Sequence, residues 1–307
     1  MSTHIQQRLE NCLDTLGSLI LGKETQLKLA LCCLLARGHL LIEDLPGMGK
    51  TTLAHGIAKV FALDYNRVQF TSDLLPADLL GASVFDARDS SFRFHQGPVF
   101  CQVLLADELN RASPKSQSAL LEVMEERQVS VDGARHLLPE PFLVIGTQNP
   151  QSQSGTFALP ESQLDRFLMR LSLGYPDPQA ERKLLKGNSG RELLDGLTSS
   201  MNAEQLLEVQ SLVPKVRVSD LLLDYVQRLV ARTRDGQECS TGLSPRAALA
   251  LLNSAKSWAL LHGRDHVLPE DIQAVFAPVC GHRLVGREET DGELLARRIL
   301  TSVDVVA

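Results

Sequence analysis

Gly47-Met48-Gly49-Lys50-Thr51-Thr52 gathers two glycines, a lysine and two hydroxyls within six residues. Those types suit a phosphate cradle. Glycines let the backbone approach an anion, successive N–H groups form a concave nest, and a helix N-terminus adds its dipole. Lys50 would contact β- and γ-phosphates, and Thr51 would offer its hydroxyl to Mg²⁺. The full pattern, G-x-x-x-x-G-K-[ST], asks for glycine at position 44, where the chain has Asp. Asp44 falls at the exit into the loop, the position least close to phosphate, and Pro46-Gly47 can supply the turn. The competing reading is an ordinary Gly-rich turn. An apolar run before the loop and a helical pattern after it favour nucleotide binding.

Phosphate chemistry needs a carboxylate strand as well, and "CQVLLADELNRA" ends an apolar run in Asp107-Glu108. Asp107 would organise Mg²⁺ and Glu108 would polarise an attacking water. Adjacent buried carboxylates are costly without a cation; alone they would read as a solvated acidic loop. "FLVIGTQNP" ends a third apolar run at Asn149, whose amide can orient water or the γ-phosphate, although an Asn-Pro turn explains the segment equally well in isolation. Arg166 in "LDRF" and Arg246 in "LSPRAALAL" are candidates to stabilise charge on a transferring phosphoryl group. A lone surface arginine is more often salt-bridged.

The elements that must position these groups alternate. "HLLIED", "RVQF", "CQVLLA", "FLVIGT" and "LMRLSL" are candidate strands, most of them separated by helical patterns such as "ASPKSQSALLEVMEER". This predicts an α/β fold with a parallel five-stranded sheet covered by helices on both faces. Two stretches, 83–95 and 128–138, read as β-hairpins, the first turning at Arg88-Asp89-Ser90 and the second at Asp132-Gly133. Beyond Tyr175-Pro176-Asp177-Pro178 no strand is expected. Helices dominate, with starts at Ser219-Asp220 and Pro269-Glu270-Asp271. The predicted division is 1–185 and 186–307.

The chain has 307 residues and a formal net charge of −6, which disfavours a large nucleic-acid footprint. Its six cysteines form no C-x-x-C pair and read as reduced core residues of a cytoplasmic protein. No signal peptide is expected, and the apolar stretch around Leu27–Ile42 is interrupted by Arg37, Gly38 and His39, so it is not expected to cross a membrane.

Taken in order, "ILGKE", "GHLLIEDLPGMGKTTLA", "VQFTSDLLPADLLG", "FHQGPVF", "LLADELNRASPKSQSALLEVMEERQVSVDG", "IGTQNP", "LPESQLDRF", "LSPRAALAL" and "PEDIQAVFAPVCGHRL" resemble the MoxR-type AAA+ ATPases over about residues 20–284. The resemblance implies a P-loop NTPase core with an all-α C-terminal lid; one familiar landmark of the family, an appended C-terminal domain beyond the lid, is not read in this sequence. By that resemblance Gly47 to Thr52, including Met48 and Thr52, is Walker A, and Pro46 leads into it. Asp107-Glu108 is Walker B, Asn149 the first sensor, Arg166 an arginine finger for a neighbouring subunit, and Arg246 a second sensor reporting from the lid. Gly22 and Lys23 would lie against the adenine. The family tolerates Asp at position 44. The hairpins correspond to its helix-two and pre-sensor inserts. The resemblance also implies ATP and Mg²⁺, a homo-oligomeric ring that is a hexamer, and chaperone-like action on protein clients, often with von Willebrand A-domain partners. The alternatives are a nucleic-acid motor and a nucleotide-gated scaffold with little turnover. Intact Glu108, Asn149 and Arg166 argue against the scaffold.

Overall fold

A computed structural model describes residues 3–88, 90–149, 156–187, 193–194, 196–287 and 291–305. Two helices, α1 (Thr3–Leu19) and α2 (Glu24–Leu35), precede β1 (Leu40–Glu43) and α3 (Lys50–Val60). Then come β2 (Tyr65–Gln69), α4 (Pro76–Leu80), β3 (Gly81–Asp86), β4 (Ser91–Gln96) and β5 (Val103–Asp107). They are followed by α5 (Pro114–Glu126), β6 (Gln128–Val131), β7 (Ala134–Leu137), β8 (Leu143–Gln148), α6 (Glu161–Leu164), β9 (Met169–Leu171) and α7 (Pro178–Leu185). The remainder holds α8 (Ala203–Leu212), α9 (Asp220–Arg234), β10 (Cys239–Thr241), α10 (Pro245–Leu261), α11 (Pro269–Cys280), β11 (Val285–Gly286) and α12 (Gly292–Ser302).

The five expected strands pair in the order β2-β5-β8-β1-β9, all parallel. β5 and β8 are buried along their whole length, as central strands covered on both faces must be. Both hairpins form, β3 with β4 and β6 with β7. In the second, Asp132 and Gly133 take φ of 50° and 77°, the paired left-handed geometry that a two-residue turn between twisted strands needs. Asp89, in the first turn, and Pro150, after Asn149, lie outside the described residues. The region after α7 is helical, with one addition. β10 and β11 make a short antiparallel ladder, too brief to leave a period in the sequence.

α2 explains the most apolar stretch of the chain. Eight of its residues, Leu27, Leu29, Ala30, Leu31, Cys32, Cys33, Leu34 and Leu35, are buried, because the helix is wrapped on several sides at once. The C-terminal helices reach its last turn with side-chain hydrogen bonds. Gln210 Nε2 donates to Leu34 O (2.7 Å), Ser257 Oγ to Cys32 O (2.8 Å) and Asn253 Nδ2 to Ala36 O (3.1 Å). All six cysteines are free and buried, and burial pushes the thiols of Cys12, Cys32, Cys101 and Cys280 up to about 12. No helix among the described residues is long and apolar enough to cross a membrane.

His39 closes the lower edge of the sheet. Val144 N donates to its Nδ1 (2.9 Å), so its Nε2 carries the proton and donates to Met124 O (3.1 Å). Burial lowers its pKa from 6.5 to about 4, and Arg127 adds to the effect. Between those values the unfolded chain binds a proton that the folded chain refuses, so stability falls as pH drops through that window. The expected contribution is a loss of up to about 3 kcal/mol. Denaturant unfolding at pH 7, 6, 5 and 4.5 should show a shallower decline for His39→Gln than for the wild type. Equal slopes would contradict the assignment.

Candidate functional site

β1 ends at Glu43, and the loop turns back into α3. Gly47 and Gly49 hold φ of 84° and 91°, a region in which only glycine is unstrained, and Gly49 is the N-cap of α3. A side chain added at Gly47 would meet nothing, so conformation rather than space requires glycine there. The nest and the helix N-terminus therefore have the form an anion needs. Lys50 folds back over the loop. Its Nζ donates to Asp44 O (2.5 Å) and Leu45 O (3.2 Å) and reaches Asn149 Oδ1 at 3.5 Å. Burial lowers its pKa, opposed by the charges of Asp44, Asp107 and Glu108. Thr51 is exposed on the loop side and Thr52 half-buried behind it, while Met48 packs against the core.

Asp44 is a built part of this loop. Its Oδ2 accepts from Leu173 N (2.5 Å), Gly174 N (2.8 Å) and Ser172 Oγ (3.3 Å), and its Oδ1 from Leu45 N (3.1 Å). The carboxylate ties the end of β1 to the chain leaving β9. Glycine could not do this.

Asp107 and Glu108 leave β5 two strands away. Thr147 Oγ1 donates to Asp107 Oδ1 (2.6 Å) and accepts from Glu108 N (2.9 Å), so one hydroxyl on β8 sets both residues. Arg67 on β2 donates to Asp107 Oδ2 at 2.6 and 3.2 Å. Glu108 sits at φ 56°, ψ 47°, left-handed for a non-glycine, which aims its side chain out of the strand line at a cost of about 1–2 kcal/mol. Its carboxylate meets Asn149 Nδ2 (3.3 Å) and Arg111 Nε (3.0 Å). Asn149, buried, thus stands between Lys50 and Glu108, and Asn110 Nδ2 holds its carbonyl (3.1 Å). Lys50, Asn149, Asp107 and Glu108 form one site at the C-terminal edge of the sheet.

A divalent ion fits the donors present. Asp107 and the Thr51 hydroxyl are hard oxygens, and the described residues hold no group of three or more acidic, His or Cys side chains that could cage a metal. That suits an ion which keeps its waters and takes further ligands from phosphate. Gly22 and Lys23 approach from the α1–α2 turn. The preceding Ile20 lies 3.5 Å from where a side chain on Gly49 would begin, and Lys23 Nζ donates to Tyr175 O (2.6 Å). The two residues line a cleft of about 620 Å³.

Arg166 and Arg246 are not part of this cluster. Arg166 precedes β9, so in a parallel sheet it lies at the N-terminal edge, opposite the phosphate loop. Leu168 N, beside it, donates to His39 O (2.8 Å) just before β1. Arg166 pairs with Glu125 at the end of α5, and Arg246 joins the same carboxylate (3.4 Å) and Asp165 Oδ2 (3.8 Å). A cleft of about 260 Å³ there is lined by Arg37, Arg127, Arg166, Arg246 and Arg283 against two carboxylates, Glu125 and Asp165. Arg246, expected as a second sensor reporting from the lid, stands away from the phosphate loop of its own chain, because α10 docks on α2 and sets its first turn beside Glu125 and Asp165. The parts played by Arg67, Thr147, Glu125 and Arg283 were missed in the sequence, even where they fall in a recognised segment, because their partners are distant in the chain; only strand order and helix docking bring them together.

Residues 39–169 match the ATPase family associated with various cellular activities (AAA), and residues 231–302 match the AAA lid domain. The chain is 40% identical to the protein YeaC of Bacillus subtilis, over 97% of this chain and 94% of that one. It is 38% identical to Chaperone MoxR1 of Mycobacterium tuberculosis, over 96% of this chain and 81% of that one. A crystal structure of a candidate ATPase from Cytophaga hutchinsonii matches with a TM-score of 0.89 at 34% identity, covering 98% of this chain and 96% of that one.

Restoring glycine at position 44 tests the role given to Asp44. Asp44→Gly should destabilise the fold by about 2–4 kcal/mol, because buried N–H groups lose a charged acceptor. Nucleotide affinity should fall with it. A variant as stable as the wild type, or binding nucleotide more tightly, would show the carboxylate to be incidental.

Proposed function

The chain belongs to the MoxR family of AAA+ ATPases, and from that premise we propose that it hydrolyses Mg²⁺-ATP only as a ring, of six subunits, in which each interface completes one site. One observation carries this reading. The groups that bind phosphate and activate water stand at one edge of the sheet, and the arginine cluster stands at the other. A single chain cannot apply both to one nucleotide. A ring can, by setting the N-terminal edge of one subunit against the C-terminal edge of the next.

Within a site, Gly47–Thr52 cradle the phosphates and Gly22 and Lys23 border the base. Lys50 exchanges its backbone acceptors for β- and γ-phosphate oxygens. Thr51 and Asp107 would hold the metal, which when bound draws charge from the phosphates. Glu108, once released from Arg111, accepts a proton from the water that Asn149 orients. Arg166 and Arg246, drawn from Glu125, stabilise charge on the neighbour's γ-phosphate. Residues 1–185 form the nucleotide-binding part and 186–307 the helical part.

The work done is remodelling of protein clients in the cytoplasm, for which the first hairpin is the contact. Its tip exposes Phe85 and Phe92, 53% and 72% accessible, as a tilted cross-strand pair 5.3 Å apart. An apolar tip on an acidic protein suits a polypeptide better than a nucleic acid. The relative named Chaperone MoxR1 supports the same choice. Von Willebrand A-domain proteins are the partner class to test first.

Lys50→Ala should lose nucleotide binding. Glu108→Gln should keep it and lose turnover on the order of 10²–10⁴-fold. Arg166→Ala and Arg246→Ala should each bind ATP normally, with turnover reduced on the order of 10³-fold for Arg166. Mixing Arg166→Ala with Glu108→Gln creates interfaces that hold both intact groups, so activity should partly return. A mixture that forms mixed rings yet stays inactive would place Arg166 within its own subunit's chemistry and contradict the ring reading.

A further inference from the structure

His282 and Arg283 follow the C-terminus of α11 and grip the chain on both sides of Arg166. The Arg283 side chain is only 6% exposed. Its guanidinium donates to Asp165 Oδ1 (2.6 Å), Asp165 O (3.1 Å), Phe167 O (2.8 Å), Leu168 O (3.1 Å) and Val279 O. His282 Nε2 meets Phe167 O as well (3.0 Å). Burial drives the His282 pKa well down, so this imidazole is neutral and donates through Nε2. Phe167 is fully buried, and Leu168 packs so closely on Gly38 that a side chain added there would strike it at 2.2 Å. Residues 165, 167 and 168 are therefore pinned by the helical part of the chain, and the Arg166 side chain projects between them toward Glu125.

We propose that Arg283 is a positioning residue for Arg166: through it, the helical part of one subunit sets the arginine that a neighbouring subunit needs for hydrolysis. The inference rests on the reading that Arg166 acts across the interface. The chemistry favours arginine at 283 specifically. Several acceptors converge there, and a planar fork of N–H groups can serve them together, whereas a lysine offers one compact ammonium. Asp165 is the second half of the grip. It accepts from Arg283 through Oδ1 and faces Arg246 through Oδ2 at 3.8 Å, so one carboxylate registers the arginine of the α/β part with the arginine of the helical part.

A positioning role and a merely structural one differ in mixed rings. Arg283→Gln should bind ATP with affinity within about twofold of the wild type, while turnover falls on the order of 10–100-fold, as misplacement of a catalytic group by about 1 Å does. Mixed with Glu108→Gln, whose arginines are intact, it should regain activity, because its own base and loop are sound. Mixed with Arg166→Ala it should not, because neither partner then supplies a placed arginine. Recovery with Arg166→Ala, recovery with neither partner, or loss of ATP affinity in step with turnover would each overturn the proposal. If Arg283→Gln does not fold, Asp165→Asn, which keeps the backbone grip, decides by the same two mixtures. The Arg166→Ala and Glu108→Gln mixture is the control. If it stays inactive the interface reading fails; if it recovers while Arg283→Gln still donates a working arginine, only this inference fails.

Discussion

A parallel sheet has two unlike edges, and that constraint orders the rest of the molecule. Every strand delivers its C-terminal end to the same side, so Glu43, Asp107 and Gln148 emerge together and carry the phosphate loop, the acidic pair and Asn149 with them. A residue that precedes a strand, as Arg166 precedes β9, is sent to the other side. Lys50 and Arg166, which we propose act in one reaction, are thus kept apart by the topology within one chain. The site is tense at the point where the chemistry would occur. Glu108 is left-handed, Lys50 is buried, and both are held by protein groups, Arg111 and the Asp44 and Leu45 carbonyls, that phosphate and water would displace.

The helical part is more than a cover. Its hydrogen bonds to Cys32, Leu34 and Ala36 fix the end of α2, one turn before β1, and Arg283 fixes the chain entering β9. Both attachments are at the arginine edge. Movement of the helical part would be felt at that edge before it reached the phosphate loop of its own chain. This is why Arg246 groups with Arg166, sharing Glu125, despite lying 80 residues further along the chain.

Much of the fold was legible because its signals are local. Gly47, Gly49, Lys50 and Thr51 are consecutive or nearly so, Asp107-Glu108 ends an apolar run, and Asp132-Gly133 marks its turn by type alone. What could not be read depends on neighbours in space. Arg67 meets Asp107 only because β2 pairs with β5, in the register Gln69 to Asp107. Asp44 looks like a flaw in the phosphate-loop pattern until β9 is placed beside β1, when Ser172, Leu173 and Gly174 supply its partners. Thr147 was visible as a strand end but not as the hydroxyl joining both acidic residues. The side on which α10 docks cannot be read from spacing, since it follows from Asn253 and Ser257 meeting α2 more than 200 residues away.

The central claim is that one chain holds half of each of two sites. ATPase activity measured across a wide range of protein concentration, beside sedimentation at the same concentrations with nucleotide present, tests it most directly. Specific activity should be near zero where only monomer sediments, and should rise in parallel with the assembled fraction to a plateau. Full specific activity from a sedimenting monomer would contradict the account.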